Sequence, residues 1–149
     1  MGDTKSIEMD PATQDEHLGT GGTGVLSFSG PAADAPHSVP VSYGYDPDER
    51  VFYFRLAVGP DSEKASLLDR AVTFVVHGES DDGWWSVIAR GELESTAAEA
   101  TALDSLAGLE RVDIPLVDVF DTPLRVVDFE FCRLVPTAQT GRRETGGEI

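Results

Sequence analysis

The stretch PHSVPVSYGYD, residues 36–46, decides the fold. Its side chains alternate: Val39, Val41, Tyr43 and Tyr45 fall on one face, and Ser38, Pro40, Ser42 and Gly44 on the other. A period of two marks a strand with one face turned to a core. Pro40 disturbs it chemically, because proline has no N–H to give to a ladder. The strand therefore runs at a sheet edge or is bulged at that point.

Reading outward, the same kind of pattern recurs. TGVLSFS (23–29) reads as a strand before it, and RVFYFRLA (50–57) as an aromatic-rich strand after it, across the turn residues DPDE. AVTFVVHG (71–78) and WWSVIARGELEST (84–96) form a further pair about the turn ESDDG, and LRVVDFEFCRLV (124–135) is a last strand. Between them lie single helices. Asp10 caps the first, Pro11 opens it and Gly19 stops it. GPDSEKASLLDR (59–70) and AAEATALDSLAG (97–108) are expected as two more, and VDIPLVDVFD (112–121) as irregular chain. The glycines of GTGGTG do not make a phosphate loop, since no GK[ST] follows and no helix signal comes after them. The fold class is therefore mainly β with short helices, a six-stranded antiparallel barrel. The expected organisation is a flexible N-terminal arm over 1–9, one domain over 10–136 and a flexible C-terminal tail over 137–149.

The 149 residues carry 27 acids against 11 bases, a net charge of −16. That balance argues against nucleic acid and anionic membrane as partners, since both need a basic footprint. Only two of the cations are lysines, Lys5 and Lys64, and the acids are scattered along the chain. This reads as the surface of a salt-adapted cytoplasmic protein. One cysteine, Cys132, excludes an intramolecular disulfide and fits a reducing compartment. No signal segment or membrane-length apolar run stands out.

Few residues carry chemistry on their own. His17, His37 and His77 lie 20 or more positions apart, with no HxH or HExxH, so no metal is expected. GxSxG is missing, and the acid pairs Asp46/Asp48 and Asp81/Asp82 fall in turns. Trp84 and Trp85 are adjacent, so a strand points one inward and one outward. Lys64 sits in the first turn of an expected helix, where the dipole favours acids. It is either an exposed cation paired with Asp61 or, with Ser62 and free helix amides, half of an anion site.

The order PHSVPVSYGYD, RVFYFRLA, GPDSEK, WWSVIARGELE resembles the FMN-binding split β-barrel family, which includes pyridoxamine 5′-phosphate oxidase and the nitroimidazole-resistance flavoproteins. The likeness runs over about 23–97. It implies a split barrel of the FMN-binding type, with FMN as cofactor. Val39, Pro40, Val41 and Ser42 would then lie along the flavin ring, and Phe54, Arg55 and Leu56 would continue the wall. Ser62 and Lys64 would hold the phosphate. Trp85 and Ser86 would close the site from the partner subunit of a homodimer whose interface carries the flavin sites. The implied activity is FMN-dependent oxidoreduction of a small-molecule substrate, with Arg55 as candidate catalytic residue or, alternatively, a structural ion-pair partner. A non-catalytic flavin-binding or sensing module is the alternative, as is a deazaflavin- or haem-binding relative on the same barrel.

Overall fold

Local chemistry opens the first helix as the sequence predicts. The computed structural model describes residues 5–29, 35–58, 70–81, 83–95, 112 and 128–145. After a short strand β1 (Lys5–Glu8), helix α1 (Pro11–Leu18) opens on Asp10, whose carboxylate accepts the Thr13 N–H at 2.8 Å. That bond satisfies one of the amides a helix start leaves bare, and the Thr13 side chain first, then this N–H, lower the Asp10 pKa. Gly19 ends α1 at φ +61°, its N–H returning to the Asp15 carbonyl.

The rest is sheet. β2 (Gly21–Phe28), β3 (His37–Asp46), β4 (Val51–Val58), β5 (Ala71–Ser80), β6 (Gly83–Ser95) and β7 (Asp128–Leu134) pair antiparallel in the order β6-β5-β2-β3-β4-β7. β7 then pairs back onto β6, so these six strands close into a barrel. β8 (Ala138–Thr145) and β1 extend the sheet beyond β6. The expected fold class holds.

β6 makes the split. One edge pairs with β5; the other pairs with β8 from Trp84 to Arg90 and with β7 from Leu93 to Ser95. The chain crosses from β7 to β8 beside Gly91, where Thr137 N–H bonds the Arg90 carbonyl at 2.8 Å. A Cβ on Gly91 would stand 2.8 Å from Leu134 Cδ1 and 3.0 Å from the Val135 carbonyl oxygen, so only glycine admits the crossing.

The inward faces supply an aromatic core. Phe74 packs edge to face against Tyr43, Phe52 and Phe54, its centroid 4.7 Å from that of Phe54, and Tyr43 meets Phe52 the same way. Each such fully buried ring contributes about 1.5–3 kcal/mol by area alone. α1 covers this core with Leu18 and is tied to it by tyrosines: Tyr43 donates to the Leu18 carbonyl at 2.9 Å and Tyr45 to Asp15 at 2.6 Å.

The ends differ from expectation. Residues 5–8 and 138–145 were expected in a flexible arm and tail, yet they form β1 and β8 and pair from Lys5↔Thr145 to Glu8↔Arg142. β8 is held to β6 along its length and to α1 through Gln139, which donates to Gln14 at 3.0 Å. Its fixing side chains are polar, so no apolar alternation announces it. The helices expected over 59–70 and 97–108 fall, Arg70 apart, outside the described residues.

Candidate functional site

The β3–β4 pair stops early. It runs from Asp46↔Val51 to Ser42↔Arg55 and no further. The same register continued would set Val41 opposite Leu56, Pro40 opposite Ala57 and Val39 opposite Val58. Instead β4 stays with β7 as far as Val58↔Asp128, while β3 stays with β2 as far as Phe28↔His37. Among the described residues, no strand therefore lies on the β4 side of β3 over residues 37–41. Pro40, exposed and without an N–H, lies in the middle of that stretch.

An unpaired strand edge presents peptide N–H and C=O groups to whatever lies beside it. Seven of the residues expected at the site, Val39, Pro40, Val41, Ser42, Phe54, Arg55 and Leu56, straddle the point where the two strands part. The side chains within it are unequal. Val41 and Ser42 are buried, Arg55 is partly exposed across from Ser42, and Val39 packs against the core. The Phe54 ring is wholly buried against Phe74, so β4 offers backbone at that position. Tyr43, Tyr45, Phe52 and Tyr53 are all buried as well. Burial pushes the Tyr43 hydroxyl up to about 12. Tyr45 is also raised, first by burial and then by its hydrogen bond to Asp15 and that group's charge. Both remain donors that hold α1, not acids for chemistry.

Trp85 and Ser86 stand elsewhere. β6 lies three strands from β3 whichever way the barrel is followed, so one chain does not bring these residues to the opened pair. Trp85 crosses over Gly78, where a Cβ would meet its ring at 2.9 Å, and stacks on His17 with centroids 4.8 Å apart. Trp84 points outward and is 55% exposed. The His17 contact could not have been read from a sequence separation of 68 residues. Ser62 and Lys64 lie outside the described residues.

The outer face joins these regions. Ile88, Val75, Val25 and Pro40 are successive register partners from β6 through β5 and β2 to β3. Their chain neighbours Val87, Ala89, Phe74, Val76, Leu26 and Val41 are core residues, so this stripe faces away from the barrel interior. It is an apolar line, partly to fully exposed, that begins beside Ser86 and ends at the opened strand.

A closed six-stranded barrel, split at β6 and opened between β3 and β4, defines a split-barrel protein. Residues 10–143 match the family model described as pyridoxamine 5′-phosphate oxidase, and the chain belongs to that family. A search of curated proteins finds no match. Among solved structures the chain is similar to the FAD-binding protein from Mycobacterium smegmatis, at 20% identity and TM-score 0.67 over 92% of this chain and 98% of that one. A putative pyridoxamine 5′-phosphate oxidase from Corynebacterium glutamicum gives 21% and 0.69 over 100% and 99%. A putative 5-nitroimidazole antibiotic resistance protein from Bacteroides thetaiotaomicron gives 17% and 0.54 over 95% and 89%. At these identities the likeness speaks to the fold. No helix among the described residues is long and apolar enough to cross a membrane.

Proposed function

We propose that the chain binds FMN at the opened β3–β4 pair and acts, as a homodimer, as an FMN-dependent oxidoreductase on a small molecule. The free edge of β3 over residues 37–41 carries the reading. A flavin pyrimidine ring has one N–H and two carbonyls on its rim, and an unpaired strand edge offers the complementary groups. Val39, Pro40, Val41 and Ser42 would hold it, and the phosphate falls to Ser62 and Lys64. The flavin, when bound, supplies the redox step. The residues orient it, and the Arg55 guanidinium, one strand away, would steady negative charge on the ring or a substrate carboxylate.

The outer stripe supports the dimer. A two-fold axis along the strands, between β5 and β2, would lay one copy's β6 over the other's β3. Ser86 shares a row with His77, and Ser42 with Thr23, and continuing the β2–β5 register joins these rows. Such an axis would set Ser86 of one copy near Ser42 of the other, with the Ile88-to-Pro40 stripe between them. Buried Cys132 and the −16 charge support a reducing cytoplasm and a salt-adapted surface.

Apoprotein titrated with FMN at fixed high salt is the test. Lys64→Ala is expected to weaken binding about 10- to 150-fold, the value of a charge-assisted hydrogen bond, while Lys5→Ala changes nothing. Equal affinities would remove the phosphate assignment. FAD titrated alongside decides between the cofactors, since the similar protein from Mycobacterium smegmatis is described as FAD-binding. Reduction of the bound flavin by a nicotinamide cofactor separates an oxidoreductase from a binding module.

A further inference from the structure

Two residues along from the apolar stripe, the outer face carries a polar row. Arg90, Thr73, Ser27 and Ser38 are successive register partners from β6 through β5 and β2 to β3. The Ser27 and Ser38 hydroxyls bond each other at 2.7 Å. Ser38 belongs to the stretch of β3 that, among the described residues, has no strand on its β4 side. At the other end of the row Arg90 is exposed, and among the described residues its side chain makes no hydrogen bond or ion pair. Arg55, at the Ser42 end of the opened edge, already interacts with another group.

Within one chain Arg90 cannot serve that edge. Three strand spacings separate it from Ser38, roughly 14 Å. A two-fold axis between β5 and β2, the one on which the homodimer reading stands, lays Arg90 of one copy across from Ser38 of the other. Packed sheets stand about 10 Å apart, a gap that an extended arginine crosses. Covered in this way, the guanidinium loses water and needs negative charge in return. The row across from it offers hydroxyls, and Glu92, two positions along β6, lies opposite Ala71 and past the start of β3.

We propose that the partner subunit's Arg90 reaches the Ser38 end of the opened edge and holds the negative charge that FMN gains on reduction. When the C–H bond of a nicotinamide donor breaks and its hydride forms an N–H bond on the ring, the pyrimidine rim takes up one negative charge. A chain at −16 gives that anion no help at long range, so a cation in contact decides how well it is held. This role rests on the FMN and homodimer readings above.

Oxidised FMN and dithionite-reduced FMN, each titrated anaerobically into the apoprotein, test it. Mildly alkaline buffer keeps reduced FMN an anion, and fixed high salt screens distant charges. The readout is the ratio of the two dissociation constants. Arg90→Met is expected to lower the preference for reduced FMN about 10- to 150-fold, the value of a charge-assisted hydrogen bond, with little change for oxidised FMN. Arg90→Lys should recover most of the preference. The side chain is exposed in the single chain, so circular dichroism should not change. A ratio untouched by Arg90→Met, with FMN still bound, would overturn this role alone. So would light scattering that finds the FMN-loaded protein a monomer with the full preference. Wild-type protein that binds neither form would overturn the FMN reading, and this role with it.

Discussion

The two hairpins of this barrel are built from similar residues and end differently. β5 and β6 stay together for ten consecutive pairs, from Ser80↔Gly83 to Ala71↔Glu92. β3 and β4 part after five. Every residue of the long pair has a donor, and Gly78 lets Trp85 lie flat across it. The short pair has Pro40 just past its end, and β4 keeps β7 as its partner instead. One hairpin keeps its ladder to the end, and the other gives it up and leaves an edge of β3 without a strand beside it among the described residues.

The largest blow falls on what both hairpins share. Phe74 of β5 touches the rings of Tyr43, Phe52 and Phe54 from the short pair. Phe74→Ala is expected to cost about 3–5 kcal/mol, read as a lower urea midpoint, because the closed wall cannot collapse into the space. A loss under about 1 kcal/mol would mean that the hairpins do not depend on a common core.

Alkali probes the anchors of β3. The Tyr43 hydroxyl titrates at about 12 in the fold and near 10 when unfolded. Its contribution is whole below pH 10 and is lost as pH rises toward 12, since the unfolded chain releases that proton first. The expected slope is about 1.4 kcal/mol per pH unit in that window, with Tyr45 adding in the same direction. Tyr43→Phe, measured by urea unfolding at pH 9, 10 and 11, should flatten the slope; an unaltered slope would assign it to other groups.

Pro40→Val sharpens the contrast at the smallest cost. It restores a donor to β3 and is expected to change stability by less than about 1 kcal/mol. If the missing donor keeps the pair open, β4 can close onto the edge and FMN affinity falls. Unchanged affinity with an unchanged melting temperature would show that β7, not Pro40, draws β4 away.

Strands β2 to β7 were legible because apolar alternation or aromatic runs mark residues with a core on one side, and α1 because Asp10, Pro11 and Gly19 punctuate it. β8 was not. Its inward positions are Gln139, Gly141 and Arg143, and Gly141 is there because a Cβ would strike Gln14 at 2.7 Å and Met9 at 2.9 Å. A strand packed on a helix through amides and a glycine has no hydrophobic period to read. For the candidate site, the strands β3 and β4 were legible but their parting was not. Alternation predicts that Phe54 points one way; only the register shows that its ring is core and that the ladder fails one residue past Arg55.

β6 has neighbours on both edges: β5 over 83–92, β8 over 84–90 and β7 over 93–95. Each strand amide bonds one neighbour, and the odd-numbered amides of β6 face β5, as the Leu93 N–H does in bonding the Arg70 carbonyl, so loss of β8 alone leaves them paired. In deuterated solvent, the amides of Val87 and Ala89 are therefore expected to exchange only through opening of the closed barrel, at a rate that reports the stability of the whole domain. β1, bonded on one side to β8, exchanges through far smaller openings. The free edge of β3 exchanges the same way. The contrast gives a clock on each part of the barrel without a mutation in any of them.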